Sequence, residues 1–144
     1  MSNRVQKSLP RSPPSPRLAP RPVSSMSSLR ISFRVDFHDQ CSIGIDKIRL
    51  LEAIARAGSL SQAARNIGMS YRRAWLLTES MNTDFDTAVV DASAGGRGGG
   101  GTQLTSFGEE LIEAYRELEG HLAFLTLEHM SEIAARVTGR SARP

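Results

Sequence analysis

Two closely spaced breaks, Gly58-Ser59 and Gly68-Met69-Ser70, constrain the fold of this chain more than any other feature. Ahead of the first, Ile48, Leu51, Ile54 and Ala55 recur at helical spacing from Asp46, and Gly58 stands where a C-terminal cap belongs. Ser59 opens a second helix with Gln62 three residues on, the capping-box arrangement, and that helix spans about Leu60–Asn66. Ser70 caps a third, running to about Asn82, with Tyr71, Ala74, Trp75, Thr78 and Met81 along one side. Three helices separated by such tight breaks cannot lie parallel. They must cross over a shared core, which is helix-turn-helix geometry.

The flanking segments are consistent with one domain over residues 29–137. Leu29, Ile31, Phe33, Val35 and Phe37 alternate with Arg30, Ser32, Arg34 and Asp36, a period of two that predicts a strand with one apolar face. After Phe85, Ala88-Val89-Val90 and Thr102-Gln103-Leu104-Thr105 flank a Gly-rich loop and predict a hairpin, the wing. Thr105 or Ser106 then caps a long helix over about residues 105–135. Its apolar seam, Leu111, Tyr115, Leu118, Leu122 and Leu125, is spaced four, three, four and three. Such a helix packs back on its own domain or pairs with its copy in a second chain, and pairing is the expectation. Gly120 weakens its middle by about 1 kcal/mol relative to Ala. The fold class expected is mainly α with a small β component: a winged helix-turn-helix with an N-terminal strand, a wing hairpin and a long C-terminal dimerisation helix.

Residues 1–28 hold all but one of the 7 prolines, with many Ser and Arg, and are expected to be a disordered basic tail. Such a tail adds phosphate affinity; a solvated leader, or translation from Met26, is the other reading. Residues 138–144 are expected to be a second disordered tail. The net charge of +3 hides an asymmetry. Residues 1–35 carry Arg4, Lys7, Arg11, Arg17, Arg21, Arg30 and Arg34 and no acid, whereas the last third is acidic. A polyanion is expected to meet the first two thirds. No apolar run is long enough for a membrane span, and no secretory signal opens the chain. The single cysteine, Cys41, reads as a free thiol in a reducing cytoplasm, where the chain is expected to act.

The third helix begins with polar and basic residues, and the N-terminal end of a recognition helix is the end that reaches base edges. Arg72 and Arg73 each offer a planar fork to guanine or to phosphate, and Ser70 and Tyr71 can donate to phosphate. Tyr71 and Trp75 are expected to pack in the core rather than stack on bases. Gly95-Gly96-Arg97-Gly98-Gly99-Gly100-Gly101 is either a flexible spacer or a backbone that approaches the phosphate chain with Arg97 at its tip. It is not a P-loop, since no Gly-Lys-Ser/Thr follows. No G-x-S-x-G, H-E-x-x-H or paired carboxylates in an apolar setting occur, and His38, His121 and His129 are scattered. The expectation is no enzyme, no cofactor and no metal.

Gly58-Ser59-Leu60-Ser61-Gln62-Ala63-Ala64, Gly68-Met69-Ser70-Tyr71-Arg72-Arg73-Ala74-Trp75, Met81-Asn82, the glycine loop and Leu104-Thr105 together resemble, over about residues 29–125, the N-terminal DNA-binding domain of ModE-type molybdate-responsive regulators. The Ser-x-Ser-Gln-Ala-Ala part alone also resembles LysR-type regulators. The resemblance implies a homodimeric winged helix on a palindromic operator, controlling molybdate transport or molybdoenzyme genes. It places Ser61, Gln62, Ser70, Tyr71, Arg72 and Arg73, with Arg97 and Thr102 of the wing, against DNA. Leu76 and Ala92 depart from the family pattern, where polar and basic residues respectively are usual. Full-length members carry C-terminal molybdate-binding modules; the residues after the heptad seam are too few for one, so molybdate binding by this chain is not expected. The alternatives are a protein-interaction module acting through the heptad helix, and an oxyanion-binding protein.

Overall fold

A computed structural model describes residues 29–93 and 101–138. The expected N-terminal tail, nearly all of the C-terminal one, and the glycine loop with Arg97 lie outside the described residues. A hairpin of β1 (Arg34–His38) and β2 (Cys41–Gly44) leads into α1 (Ile45–Ala57), α2 (Leu60–Asn66) and α3 (Tyr71–Asp84). A second hairpin, β3 (Val90–Ser93) and β4 (Gly101–Leu104), precedes the long α4 (Ser106–Ala134). Each hairpin is an antiparallel two-stranded sheet, and the second pairs Val90 with Leu104 and Ser93 with Gly101.

The breaks act as the sequence predicts. Gly58 takes a left-handed φ of 66° and its amide donates to the Ile54 carbonyl, ending α1. The Ser59 hydroxyl accepts from the Gln62 amide and the Ser70 hydroxyl from the Arg73 amide. Gly68, at φ 68°, supplies the turn between α2 and α3. Ala63, Ala64 and Ala74 are buried where the three helices cross, and their small side chains set that close approach. Around them Ile43, Ile48, Leu50, Leu51, Ile54, Met81 and Val89 are fully buried, each contributing about 1.5–3 kcal/mol.

Three expectations are corrected and one strand is added. The N-terminal strand starts at Arg34 rather than Leu29, although Leu29, Ile31, Phe33 and Val35 keep the inward alternation. Cys41–Gly44 folds back on it as β2, placing the Cys41 thiol in the core, where burial raises its pKa. Ala55 faces solvent, and Leu50 and Ala53 complete the buried side of α1 instead. On α3, Ala74, Thr78 and Met81 are buried while Tyr71 and Trp75 are 56% and 47% exposed. With 100° between successive helical residues, the ridge centred on Ala74 and Met81 turns Tyr71 and Trp75 toward the flank.

The first third of α4 packs on its own domain. Thr105 caps it, its hydroxyl accepting from the Gly108 amide. Tyr115, expected in a dimer seam, is buried in the chain's own core. Its ring stacks on Phe33 at 4.5 Å and its hydroxyl donates to the Phe33 carbonyl at 3.1 Å. The next residue, Arg116, makes a two-pronged ion pair with Glu52 of α1, Nε to Oε1 at 2.6 Å and Nη2 to Oε2 at 2.8 Å. This pair holds the Glu52 carboxyl below the usual carboxylate range. Leu111 is half-buried against the core, so the open part of the seam begins at Leu118.

Gly108 is the tightest point of this packing. A Cβ there would run into the Val89 carbonyl oxygen and press on Val89 Cγ1, whereas one at Gly120 would meet nothing. Gly108→Ala is therefore expected to destabilise the fold by about 1–3 kcal/mol, and Gly120→Ala to stabilise it by up to about 1 kcal/mol. Urea unfolding of both variants measures the two opposite shifts.

Candidate nucleic-acid interface

The second helix of the helix-turn-helix unit, α3, presents its N-terminal two turns to solvent. Ser70, Tyr71, Arg72, Arg73, Trp75 and Leu76 are all exposed, and the first turn carries no acid. Inward-facing Ala74 and Thr78 hold the helix down, the Thr78 hydroxyl donating to the Ala74 carbonyl at 2.8 Å. Arg72 and Leu76, four residues apart, share the outward face.

The two arginines differ. Arg73 turns toward α1, and its guanidinium donates to Asp46 Oδ2 at 2.8 Å, both side chains remaining more than half exposed. No ion pair holds Arg72 among the described residues. Arg72 is thus free to reach outward, while Arg73 must leave Asp46 to do so. Such an exposed pair is worth little, about 0–1 kcal/mol, and is readily exchanged for a phosphate.

The other predicted residues flank this helix. Ser61 and Gln62 are exposed in the first turn of α2. The Gln62 side-chain amide donates to Asn66 Oδ1 at 2.8 Å, and the Ser61 hydroxyl lies 3.3 Å from that of Ser59. Thr102 on β4 is half-buried, and its backbone amide donates to the Gly58 carbonyl at 2.9 Å. That bond anchors the wing strand to the turn between α1 and α2. Leu118 and Leu125 are exposed on α4 and Leu122 is half-buried; Arg97 falls outside the described residues.

Sequence reasoning missed the residue that joins wing to helix. The Asn82 side-chain oxygen accepts from the amides of Val89 at 2.8 Å and Val90 at 3.1 Å, and its nitrogen donates to the Val90 carbonyl at 2.9 Å. Two carboxylates or two amines could not serve both duties; a single amide does. A polar residue late in an amphipathic helix, just ahead of a Val-Val strand, was the available signal. Asn82→Ala would leave buried backbone groups of Val89 and Val90 without partners. The expected result is a stability loss of about 2 kcal/mol or more, with faster hydrogen exchange at both amides than in the parent, readable by NMR.

A family model for bacterial regulatory helix-turn-helix proteins of the lysR family matches residues 45–109. The molybdenum-pterin-binding protein MopA of Rhodobacter capsulatus is 46% identical over 80 residues, covering 56% of this chain and 30% of that protein. The molybdenum transport protein ModE of Azotobacter vinelandii is 44% identical over 93 residues, covering 65% of this chain and 34% of that protein. The DNA-binding transcriptional dual regulator ModE of Escherichia coli strain K12 is 44% identical over 69 residues, covering 48% and 26%. The chain thus spans about a third, or less, of the length of these relatives. Among solved structures, full-length CbnR complexed with its target DNA covers 65% of this chain and 29% of its own at a TM-score of 0.44 and 20% identity, too distant to transfer any geometry.

Proposed function

We propose, from the premise that this chain carries a ModE-type N-terminal DNA-binding domain, that it is a sequence-specific transcriptional regulator of molybdate transport or molybdoenzyme genes. It acts by binding double-stranded DNA and not by catalysis. The observation that carries this reading is the outward-facing start of α3, where Arg72 is held by no ion pair among the described residues and the helix's own first turn carries no acid. In this reading Arg72 reads a base edge in the major groove. Arg73, exchanged from Asp46, pairs with phosphate, as do Ser70, Tyr71, Ser61, Gln62 and Thr102. The Ser70 hydroxyl oxygen already accepts from the Arg73 amide, which leaves its proton free to donate to a phosphate oxygen.

Two copies meet through the outer part of α4. There Leu118, Phe124, Leu125, Leu127, Met130 and Ile133 stay exposed, an apolar surface that an isolated chain leaves in water. A twofold pair of domains on α4 matches a palindromic operator, each α3 entering one half-site.

Arg72→Ala is expected to weaken operator binding about 10- to 100-fold and to relax preference at one base pair per half-site. Arg73→Ala is expected to weaken all sequences alike and to reduce the salt slope by about 0.9. Titrations of operator and scrambled duplex at several salt concentrations separate the two; parental binding by both variants excludes α3 as the reader. Leu118→Glu with Leu125→Glu is expected to give a monomer by sedimentation, and a dimer that persists would place the interface elsewhere.

A further inference from the structure

On the exposed side of α3, Trp75 at the flank and Leu76 on the outward face form an apolar pair that the fold leaves about half uncovered. They are 47% and 49% exposed, and Tyr71, one turn before Trp75, is 56% exposed. The Trp75 indole stacks on no aromatic ring among the described residues, the packed pairs being Phe33–Tyr115, Phe37–Phe85 and Phe85–Phe107. Both residues lie in the first two turns of α3, next to Arg72, in a helix whose first turn carries no acid; Glu79 comes a turn further along, and Asp46 of α1 is held by Arg73. A polyanion fits a surface so charged. What an apolar pair can touch there is narrow: of the four bases, only thymine shows an apolar group, its 5-methyl, in the major groove.

Resting on the reading that α3 enters that groove, we propose that Trp75 and Leu76 set the base preference of this chain by contact with thymine 5-methyl groups, while Arg72 supplies the hydrogen-bonded contact beside them. The indole N–H remains at the ring edge to donate to a phosphate or base acceptor. Leu76 adds a contact that a polar side chain at that place would not make. Polar substitution there changes which operators are preferred, without changing overall affinity for DNA backbone.

The test uses the full chain and duplexes selected from random oligonucleotides. Thymines in the selected site are replaced one at a time by deoxyuridine, which deletes the 5-methyl and nothing else. The parent is expected to bind about three- to fivefold more weakly for each contacted methyl removed, the cost of unburying about one methylene equivalent. Leu76→Asn and Trp75→Ala, with folding checked by circular dichroism, are each expected to lose this sensitivity at a distinct position while keeping the parental salt slope. The proposal is overturned if the selected half-sites lack thymine, if the parent ignores the methyl deletions, or if both variants remain as sensitive as the parent. It is equally overturned if Trp75→Ala changes the association state and not the base preference, which would make the face a protein contact. No preference among random duplexes at all would instead remove the underlying reading of the chain as a sequence-specific regulator.

Discussion

The segment Ala88-Val89-Val90 is buried at its two valines, and its backbone polar groups cannot be left to water. Three elements meet their demands. Asn82 at the end of α3 takes both valine amides and serves the Val90 carbonyl. Thr105, at the head of α4, donates its hydroxyl to the Ala88 carbonyl at 2.6 Å and its amide to the Val89 carbonyl at 3.1 Å. Gly108 then lays the first turn of α4 directly on that same carbonyl. The end of the outward-facing helix, the root of the wing and the start of α4 are therefore one joint. The orientation of α3 relative to both follows from a hydrogen-bonding requirement, and the Thr102 to Gly58 bond closes the wing strand onto the helix-turn-helix from the opposite side.

From that joint α4 runs 29 residues, about 43 Å at helical rise. Two further ties hold its first third: the Tyr115 hydroxyl and ring on Phe33, and Arg116 astride Glu52 and Glu119. From Leu118 onward most of the large apolar side chains are exposed, with Leu122 half-buried among them. The change in burial along one continuous helix divides the labour. The inner part belongs to the domain core, and the outer part carries the surface through which two copies are proposed to join. A rigid inner attachment matters on that reading, because slack at Tyr115 and Arg116 would be passed to the spacing of the two α3 helices.

Local chemistry makes the helix-turn-helix legible in the sequence. Gly58 and Gly68 turn the chain because they lack a Cβ, and Ser59 and Ser70 cap through their own hydroxyls, so each acts by chemistry local to it. What remained hidden depended on partners distant in sequence. β2 is a four-residue strand, Cys41–Gly44, too short to show a period and defined by its pairing with β1. Tyr115 sits at a heptad position, yet Phe33, far away in the chain, claims it. Trp75 reads as core by its size. Small Ala74 and Thr78 hold the inward ridge instead, because the close crossing of three short helices has no room for an indole. Arg72 and Arg73 are identical in kind, and only the position of Asp46 at the start of α1 distinguishes them.

That distinction bears on how affinity and selectivity divide on the proposed DNA surface. Arg73 exchanges one exposed anion for another, so its binding contribution is a charge count and falls with salt. Arg72 has no such partner to give up, and Trp75 and Leu76 beside it lose water only where an apolar group meets them. Phosphate contacts of the first kind hold any duplex; contacts of the second kind favour one. The acids of α4, among them Glu109, Glu110, Glu113 and Glu117, lie on a helix that leads away from the joint. Their repulsion of phosphate disfavours docking along α4, which agrees with the proposed use of the start of α3, whose first turn carries no acid.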